Sequence, residues 1–317
     1  MIPKTEIITD GKQLSRFALG THKFCKATEK SSFEVLDAYF ENGGNIIDTA
    51  RCYGDEDVTR PNCPESEQCI GEWLKSSGMR SKAVLITKGG NPEYENGKQV
   101  RNRITPEDIE ADITKSLEAL GTDFIDIYFF HKDDPSAEPE KAIEILNKYV
   151  KCGVVRHIGA SNWSAARIEA ANKYAKEHGL AEFEYSELSF SLKDRVTEGW
   201  GENERALEMS SDDYNFYRTS KIPVFGYGAQ AYGFFYGESV PENASDKNRE
   251  IFMRLKSICD KRHIDAHNAL FGFYFGCDIN CIPLVSAKNV SRLKEAAESC
   301  NTVLTPEDVK YLLEARF

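Results

Sequence analysis

Short runs of β-branched and aromatic residues alternate along the chain with longer segments whose apolar residues recur at helical spacing. The short runs are mostly unbroken in their hydrophobicity, as in strands that are buried on both faces of a sheet. They predict eight strands, at residues 17–21, 45–49, 83–88, 125–130, 154–160, 183–186, 223–227 and 281–285. The longer segments predict helices at residues 31–42, 65–77, 106–120, 139–150, 165–178, 203–218, 266–275 and 289–299.

This repeated strand–helix order indicates a parallel sheet in an α/β fold. Eight repeats within 317 residues fit a closed (β/α)8 TIM barrel better than an open doubly wound sheet. We expect three additions to the barrel: an N-terminal β-hairpin at residues 4–13, an extra helix at 247–262 and a C-terminal helix that starts at Thr305. No Pro-, Gly- or Ser-rich linker separates two halves, so we predict one domain over residues 1–317.

Charge and composition restrict the class of protein. Acidic residues outnumber basic residues by 51 to 40, and the formal net charge of −11 repels nucleic-acid phosphates and anionic lipid surfaces. No apolar run reaches the roughly 18 residues of a membrane span, and the first residues lack a signal-peptide pattern. The nine cysteines are odd in number and form no Cys-x-x-Cys pair, which indicates reduced thiols rather than a disulfide framework or a zinc site. We therefore expect a cytoplasmic protein that acts on a small molecule, without nucleic-acid, membrane or metal partners.

Polar residues follow several of the predicted strands, at the barrel end where active sites are built. Asp48 lies at the end of the second strand and Tyr53 follows it, Lys88 ends the third, His131 follows the fourth, and Asn162 follows the fifth. Taken singly, each has an ordinary structural role: an aspartate caps a helix, and a strand-end lysine extends to water. Together at one end of successive strands, they predict a functional site.

This set of residues suits proton transfer coupled to hydride transfer. Reduction of a carbonyl places negative charge on its oxygen, so a positioned acid must donate a proton. Tyr53 can do so if the positive charge of Lys88 lowers the pKa of its phenol. Asp48 would pair with Lys88 and fix its position, and His131 would hydrogen-bond the substrate oxygen.

Four segments closely resemble signature segments of the aldo-keto reductase family. They are the strand end Lys88, Gly44-Asn-Ile-Ile-Asp48-Thr-Ala-x-x-Tyr53-Gly, Asp126-x-Tyr-x-x-His131 and Gly159-Ala-Ser-Asn162. The resemblance extends over residues 17–298, nearly the whole predicted barrel. It implies an enzyme in which Asp48, Tyr53, Lys88 and His131 form a catalytic tetrad, with Tyr53 as the general acid and base.

The resemblance also implies a nicotinamide cofactor in an extended pose, which agrees with the lack of a strand-following Gly-x-Gly-x-x-Gly. Ser161 and Asn162 would hold the carboxamide, Tyr227 would stack on the nicotinamide ring, and residues 228–230 would lie along the pyrophosphate. The full set of expected cofactor contacts is Thr21, Asp48, Ser161, Asn162, Glu187, Tyr227, Gly228, Ala229, Gln230, Ser286, Lys288, Arg292 and Glu295. The chain departs from the family at Glu187 and Phe190, where Gln and then Tyr are usual, and at Ala296, where Asn is usual.

Two finer expectations concern the cofactor and the substrate. Lys288 and Arg292 lie four residues apart at a helix start that can hold a phosphate, so we expect NADP(H) rather than NAD(H). The loops after the strands mix hydrogen-bonding and aromatic side chains, which favours a sugar- or polyol-like substrate in contact with His22, Tyr53, His131 and Trp163. The alternative is a cofactor-binding regulatory subunit with little turnover. The oligomeric state is left open.

Overall fold

A computed structural model of the chain describes residues 1–54, 64–96, 98–195 and 207–317. Its backbone is organised around a closed barrel of parallel strands. In chain order the strands are β1 (Lys4–Thr9), β2 (Lys12–Ser15), β3 (Ala18–Gly20), β4 (Ile46–Asp48), β5 (Val84–Gly89), β6 (Glu93–Glu95), β7 (Lys98–Arg101), β8 (Ile125–Phe130), β9 (Val155–Ser161), β10 (Tyr185–Ser189), β11 (Val224–Tyr227) and β12 (Cys281–Val285). The barrel order is β3-β4-β5-β8-β9-β10-β11-β12, and β12 pairs with β3 in parallel to close it. The predicted (β/α)8 barrel is confirmed.

Helices surround the barrel. They are α1 (Glu29–Glu41), α2 (Glu65–Ser77), α3 (Pro106–Leu120), α4 (Pro139–Lys151), α5 (Ala165–Glu177), α6 (Ser211–Ser220), α7 (Asp246–Arg262), α8 (Ala266–Gly276), α9 (Val290–Ser299) and α10 (Pro306–Arg316). α7 and α10 are the two additional helices that the sequence predicts. The hydroxyl of Thr105 accepts from the Asp108 amide at the start of α3, and Thr305 caps α10 in the same way. The helices begin at the predicted residues because these threonine side chains satisfy amides that have no partner inside the helix.

The N-terminal hairpin β1–β2 covers one end of the barrel. Leu14 of β2 packs with Ile46, Ile127 and Phe225 inside the barrel, where all four are fully buried. The hydroxyls of Thr9 and Tyr185 are 2.6 Å apart and tie the hairpin to β10. With this end closed by side chains, the carboxyl ends of the strands form the open mouth, in which a barrel builds its site.

The structure corrects the prediction for the segment before β11. The predicted helix at 203–218 begins instead at Ser211, and residues 203–206 lie outside the described residues. Ser210 accepts from the Asp213 amide and so sets the helix start. Glu208 meanwhile bridges to Ser189, the last residue of β10, so the chain just before Ser210 runs alongside that strand instead of coiling. The helical spacing of its apolar residues was therefore misleading.

The structure also contains an element that the sequence pattern does not predict. A short hairpin, β6–β7, follows β5 and was not predicted. Arg101 of β7 holds it to α3 and to its partner strand, because its guanidinium bonds Asp108 and Glu93 at 2.7 Å. The sequence of this hairpin is mostly polar and lacks the regular alternation of apolar and polar residues that predicts strands.

Membrane-spanning helices and metal-binding clusters are both absent from the part of the chain that the structure describes. No helix there is both long and apolar enough to cross a membrane. No group of three or more His, Cys, Asp or Glu side chains in those residues could hold a metal ion. The cysteines of the same residues are free thiols.

Candidate active site

Three strand ends bring the predicted catalytic residues together at the barrel mouth. Lys88 of β5 places its Nζ 2.5 Å from Oδ1 of Asp48, the last residue of β4. The same nitrogen lies 3.4 Å from the Tyr53 hydroxyl. The rings of Tyr53 and His131, which follows β8, meet edge to face with centroids 5.6 Å apart. Asp48, Tyr53, Lys88 and His131 thus form one contiguous cluster.

The loop after β4 turns Tyr53 back over Lys88. The Arg51 amide donates to the Lys88 carbonyl at 3.0 Å, which keeps the chain beside β5 beyond the end of β4. Gly54 then has φ +117°, and a Cβ at this position would lie 2.5 Å from the Cβ of Glu65. Only glycine fits such a position without strain. The Tyr53 carbonyl accepts from the Ser66 amide at 3.0 Å, so the first turn of α2 holds the loop in place.

Lys88 is a fully buried cation. Burial lowers the pKa of its amine, but the carboxylates of Asp48 and Glu187 raise that pKa more, so the net shift is well above the ordinary value. The ammonium therefore stays charged at every working pH. It also bonds the Thr49 carbonyl at 3.1 Å, which fixes the direction of its side chain.

The pKa of Tyr53 corrects one part of the prediction. Burial raises it above the ordinary value, and the opposing charge of Lys88 does not overcome that effect. Lys88 acts in the predicted direction, yet the sequence does not reveal how deeply the phenol is buried. The hydroxyl is consequently protonated at neutral pH, which is the form that can donate a proton.

His131 is a neutral imidazole. Burial, with the nearby charges of Lys88 and Lys132, holds its pKa well below the ordinary value. Its Nδ1 lies 3.4 Å from the Cys52 thiol, whose pKa burial raises to about 12. A thiol that donates to Nδ1 leaves the ring proton on Nε2, where it can be offered to a substrate oxygen.

The residues expected at the carboxamide also converge. Asn162, held at φ +60°, donates from Nδ2 to the His131 carbonyl and to the Ser161 hydroxyl, both at 3.0 Å. Its Oδ1 accepts from the Tyr227 hydroxyl at 2.6 Å. This network ties the loops after β8, β9 and β11 into one wall of the mouth.

Glu187 on β10 contacts both this wall and the tetrad. Its Oε1 accepts from the Ser161 hydroxyl at 3.3 Å, and its Oε2 lies 3.3 Å from Nζ of Lys88. The side chain is almost completely buried. Burial raises the pKa of this carboxyl to about 8, the negative charge of Asp48 acts in the same direction, and Lys88 opposes them. The sequence marked Glu187 as a departure but did not indicate this ion pair.

The mouth is completed by residues from three further loops. His22 follows β3, and its ring meets Tyr53 edge to face at 6.3 Å; burial lowers its pKa to about 4. The Ser286 amide donates to Oε1 of Gln230 at 3.1 Å, which joins the loops after β11 and β12. Thr21, in contrast, is fully buried and donates its hydroxyl to the Asp48 carbonyl, so its hydroxyl supports the end of β4 and is not open to a cofactor.

The residues expected at the adenosine phosphate lie at the outer rim. Lys288 is exposed, and Asn289 caps α9 by accepting from the Arg292 amide at 3.0 Å. The Arg292 guanidinium bonds Glu295 at 2.7 Å, so part of its charge already faces a carboxylate. Lys288 and Arg292 thus lie at the start of α9, where the first amides of the helix have no partner inside it.

Arg195 is a cation near the mouth that sequence reasoning missed. Its Nη1 donates to the Ser189 hydroxyl at 3.2 Å and lies 3.7 Å from where a Cβ of Gly228 would be. Gly228 has φ +75°, while Ala229 next to it is buried. The guanidinium thus lies beside the segment expected to run along the pyrophosphate. Its position in a loop beyond β10 carries no periodic signal by which it could have been found.

The expectation that Trp163 contacts substrate is wrong in this structure. Only 1% of its surface is exposed. The ring stacks on Phe130 at 6.1 Å and packs edge to face on Phe183 at 5.4 Å, between the barrel and α5. Phe190 is likewise buried, against Tyr274. Both rings stabilise the core because their apolar faces are removed from water, and neither lines the mouth.

Comparisons with known proteins agree with this geometry. Residues 16–316 match the sequence profile described as the Aldo/keto reductase family. A probable aryl-alcohol dehydrogenase of Saccharomyces cerevisiae is 28% identical over 306 residues, which cover 90% of this chain and 87% of the yeast protein. An aryl-alcohol dehydrogenase of Pestalotiopsis microspora is 26% identical over 297 residues, covering 90% of this chain and 72% of the relative. The solved holo form of an aldo-keto reductase from Bacillus halodurans superposes with a TM-score of 0.74 at 21% identity, over 99% of this chain and 96% of that one.

Proposed function

Because this chain belongs to the aldo/keto reductase family and is an oxidoreductase, we propose that it interconverts a carbonyl and an alcohol with NADP(H), using Tyr53 as the proton donor and acceptor. In the reducing direction, the cofactor supplies a hydride to the carbonyl carbon and Tyr53 supplies a proton to the oxygen. The products are the alcohol and the oxidised cofactor. The single observation that carries this proposal is the contact of one buried ammonium, that of Lys88, with both Asp48 and the Tyr53 hydroxyl.

The charges of the cluster suit this chemistry. A phenol that has given up its proton becomes an anion, and the ammonium of Lys88 lies 3.4 Å away to stabilise it. Asp48 keeps the ammonium in position through its short contact. The neutral His131 can donate to the substrate oxygen without competing as an acid, because its pKa is far below neutral.

The described residues fit a nicotinamide cofactor in the expected extended pose. Tyr227 presents a half-buried aromatic ring next to Asn162 and Ser161, whose amide and hydroxyl suit a carboxamide. Arg195 adds a cation near Gly228 that suits a pyrophosphate. The preference for NADP(H) rests on Lys288 and on the shared charge of Arg292 at the rim.

We propose that aryl alcohols and aryl aldehydes are better substrates than sugars. The sugar- or polyol-like substrate that the sequence favoured depended in part on Trp163, which is buried. In the loop after β11, Tyr232 is 65% exposed, and the Arg195 guanidinium lies over its ring at 5.2 Å, on the side of the mouth expected to hold the pyrophosphate. Two relatives that match across most of the chain are named for aryl alcohols.

The test is a rate measurement with two panels of substrate. NADPH oxidation is followed with aryl aldehydes and with aldoses, and NADP⁺ reduction with the matching alcohols and polyols. We expect turnover, with specificity constants higher for the aryl compounds than for the sugars. Tight cofactor binding without turnover on either panel would favour the regulatory-subunit alternative, and a clear preference for aldoses would restore the sugar prediction.

A further inference from the structure

Two buried carboxylates share one buried ammonium at the centre of the mouth. Asp48 Oδ1 lies 2.5 Å and Glu187 Oε2 lies 3.3 Å from Nζ of Lys88. All three side chains are at most 3% exposed. With both carboxyls ionised, the cluster carries one uncompensated negative charge in a region from which water is largely excluded.

A buried site avoids such a charge by keeping a proton, since burying an unpaired ion costs several kcal/mol. The geometry decides which carboxyl keeps it. Asp48 has the shorter contact with the ammonium and stays ionised more easily, whereas Glu187 lies farther away and accepts from the Ser161 hydroxyl. The two carboxyl groups also hydrogen-bond each other, which places a shared proton between them. The shared proton therefore resides mainly on Glu187.

This inference rests on the proposed nicotinamide site. We propose that Glu187 holds an exchangeable proton, which it loses when the oxidised cofactor binds. Above neutral pH, the resulting carboxylate selects NADP⁺ over NADPH. The O–H bond of the carboxyl breaks and the proton passes to the buffer, with no change in oxidation state of any group. Glu187 acts here as a cofactor-selecting residue and not as the proton donor of the reaction.

The physical reason is the charge of the nicotinamide ring. The oxidised ring is positive and the reduced ring is neutral, so only the oxidised form gains from a nearby carboxylate. Glu187 borders the wall formed by Ser161, Asn162 and Tyr227, where the ring is expected. A glutamine at this position would keep the hydrogen bond with Ser161 but would have no charge to offer.

The other ionisable groups that face Glu187 are two tyrosines, Lys88 and Asp48. Burial raises the pKa of both Tyr53 and Tyr227 above the ordinary value, and Lys88 has a pKa raised well above its ordinary value despite its burial. Asp48 is the remaining charged neighbour. Burial raises the pKa of its carboxyl as well, and its shorter contact with the ammonium opposes that shift. Beyond the end of β10, Glu208 accepts from the Ser189 hydroxyl and pairs with Arg316. A rise in the preference for NADP⁺ over NADPH between pH 7 and pH 9, the pH step, is therefore assigned to the proton that resides mainly on Glu187.

The experiment measures the dissociation constants of NADP⁺ and NADPH from pH 6.5 to 9, in wild type and in Glu187→Gln. With a pKa of about 8, the ionised fraction of Glu187 rises about tenfold between pH 7 and pH 9. We expect the preference for NADP⁺ over NADPH to rise by up to that factor in wild type and to stay flat in Glu187→Gln. Glu184→Gln is the matched control, because that carboxylate lies one residue before β10 and bonds His157 at the far end of the barrel. It should leave the pH step unchanged.

A second readout uses wild type alone and so does not depend on how a variant folds. Calorimetric titration in two buffers of different ionisation enthalpy gives the protons released on binding. At pH 7.5 we expect the binding of NADP⁺ to release more protons than the binding of NADPH. The 2′-phosphate is common to both forms, so the protons that it releases cancel in the difference. Equal release by the two forms, or a pH step that persists in Glu187→Gln, would overturn the inference while leaving the proposed function intact. Failure of both cofactor forms to bind at any pH would overturn both.

Discussion

Replacing Lys88 by methionine tests whether the ammonium balances two buried carboxylates. Lys88→Met keeps the length of the side chain but leaves Asp48 and Glu187 without the cation that lies 2.5 and 3.3 Å from them. Breaking a buried ion pair by removing one partner costs about 3–5 kcal/mol of unfolding free energy. We expect a loss of this size at pH 8.5, where both carboxyls would otherwise be ionised.

A second substitution should then restore part of the stability. Glu187→Gln in the Lys88→Met background replaces one unpaired carboxylate by a neutral amide, which we expect to recover about 1–3 kcal/mol. Low pH should act in the same direction. Without Lys88 the two carboxyls have raised pKa values in the folded protein, so the native state binds more protons than the unfolded chain. Stability then falls as pH rises and returns as pH falls, by up to about 1.4 kcal/mol per pH unit for each proton.

The assay is urea unfolding of the single and double variants at pH 6 and pH 8.5. Lys148→Met is the matched control, because Lys148 pairs with Glu110 at a similar 3.3 Å while both side chains are more than 60% exposed. An exposed pair of this kind contributes no more than about 1 kcal/mol. The reasoning is refuted if Lys88→Met costs no more than Lys148→Met, or if adding Glu187→Gln destabilises the protein further.

Three more predictions follow from other parts of the structure. Removing Lys288 or Arg292 should weaken NADPH binding by about 1–3 kcal/mol and NADH binding less, and equal loss for both cofactors in a fluorescence titration would contradict the phosphate assignment. Trp163→Ala should lower the unfolding free energy by about 3–5 kcal/mol in chemical denaturation, because it leaves a core cavity; a raised KM at unchanged stability would return Trp163 to the substrate site. The hydrogen bond that His157 donates to the Glu184 carboxylate raises the pKa of His157, although burial opposes this shift. His157 therefore stabilises the fold below its unfolded pKa, and the effect fades as pH rises through the folded pKa. His157→Gln should therefore lower the melting temperature more at pH 6 than at pH 8.5, and equal shifts would contradict this.

The barrel could be predicted from the sequence because its strands are buried on both faces and read as unbroken apolar runs. The sixth predicted strand shows the limit of that signal. It was predicted at 183–186 and is observed at Tyr185–Ser189, since Glu187 and Ser189 are polar positions inside a strand that reaches the mouth. A polar residue that is buried by an ion pair looks, in the sequence, like the end of a strand.

The tetrad could be predicted because its members follow successive strands, and the topology of a parallel barrel brings such positions together. Which way a side chain points is harder to predict. Trp163 and Phe190 follow strands as well, yet they pack into the core. The burial of Tyr53, which decides its pKa, depends on residues far apart in the chain and has no local signal.

Tyr53→Phe tests the central claim most directly, since it keeps the ring and its packing and removes only the hydroxyl. Single-turnover reduction of an aryl aldehyde is measured beside the dissociation constant of NADPH. We predict that the rate falls by about 10²–10⁴-fold while NADPH affinity stays within about twofold of wild type. A variant that retains more than about a tenth of the wild-type rate would contradict the assignment of Tyr53 as the proton donor.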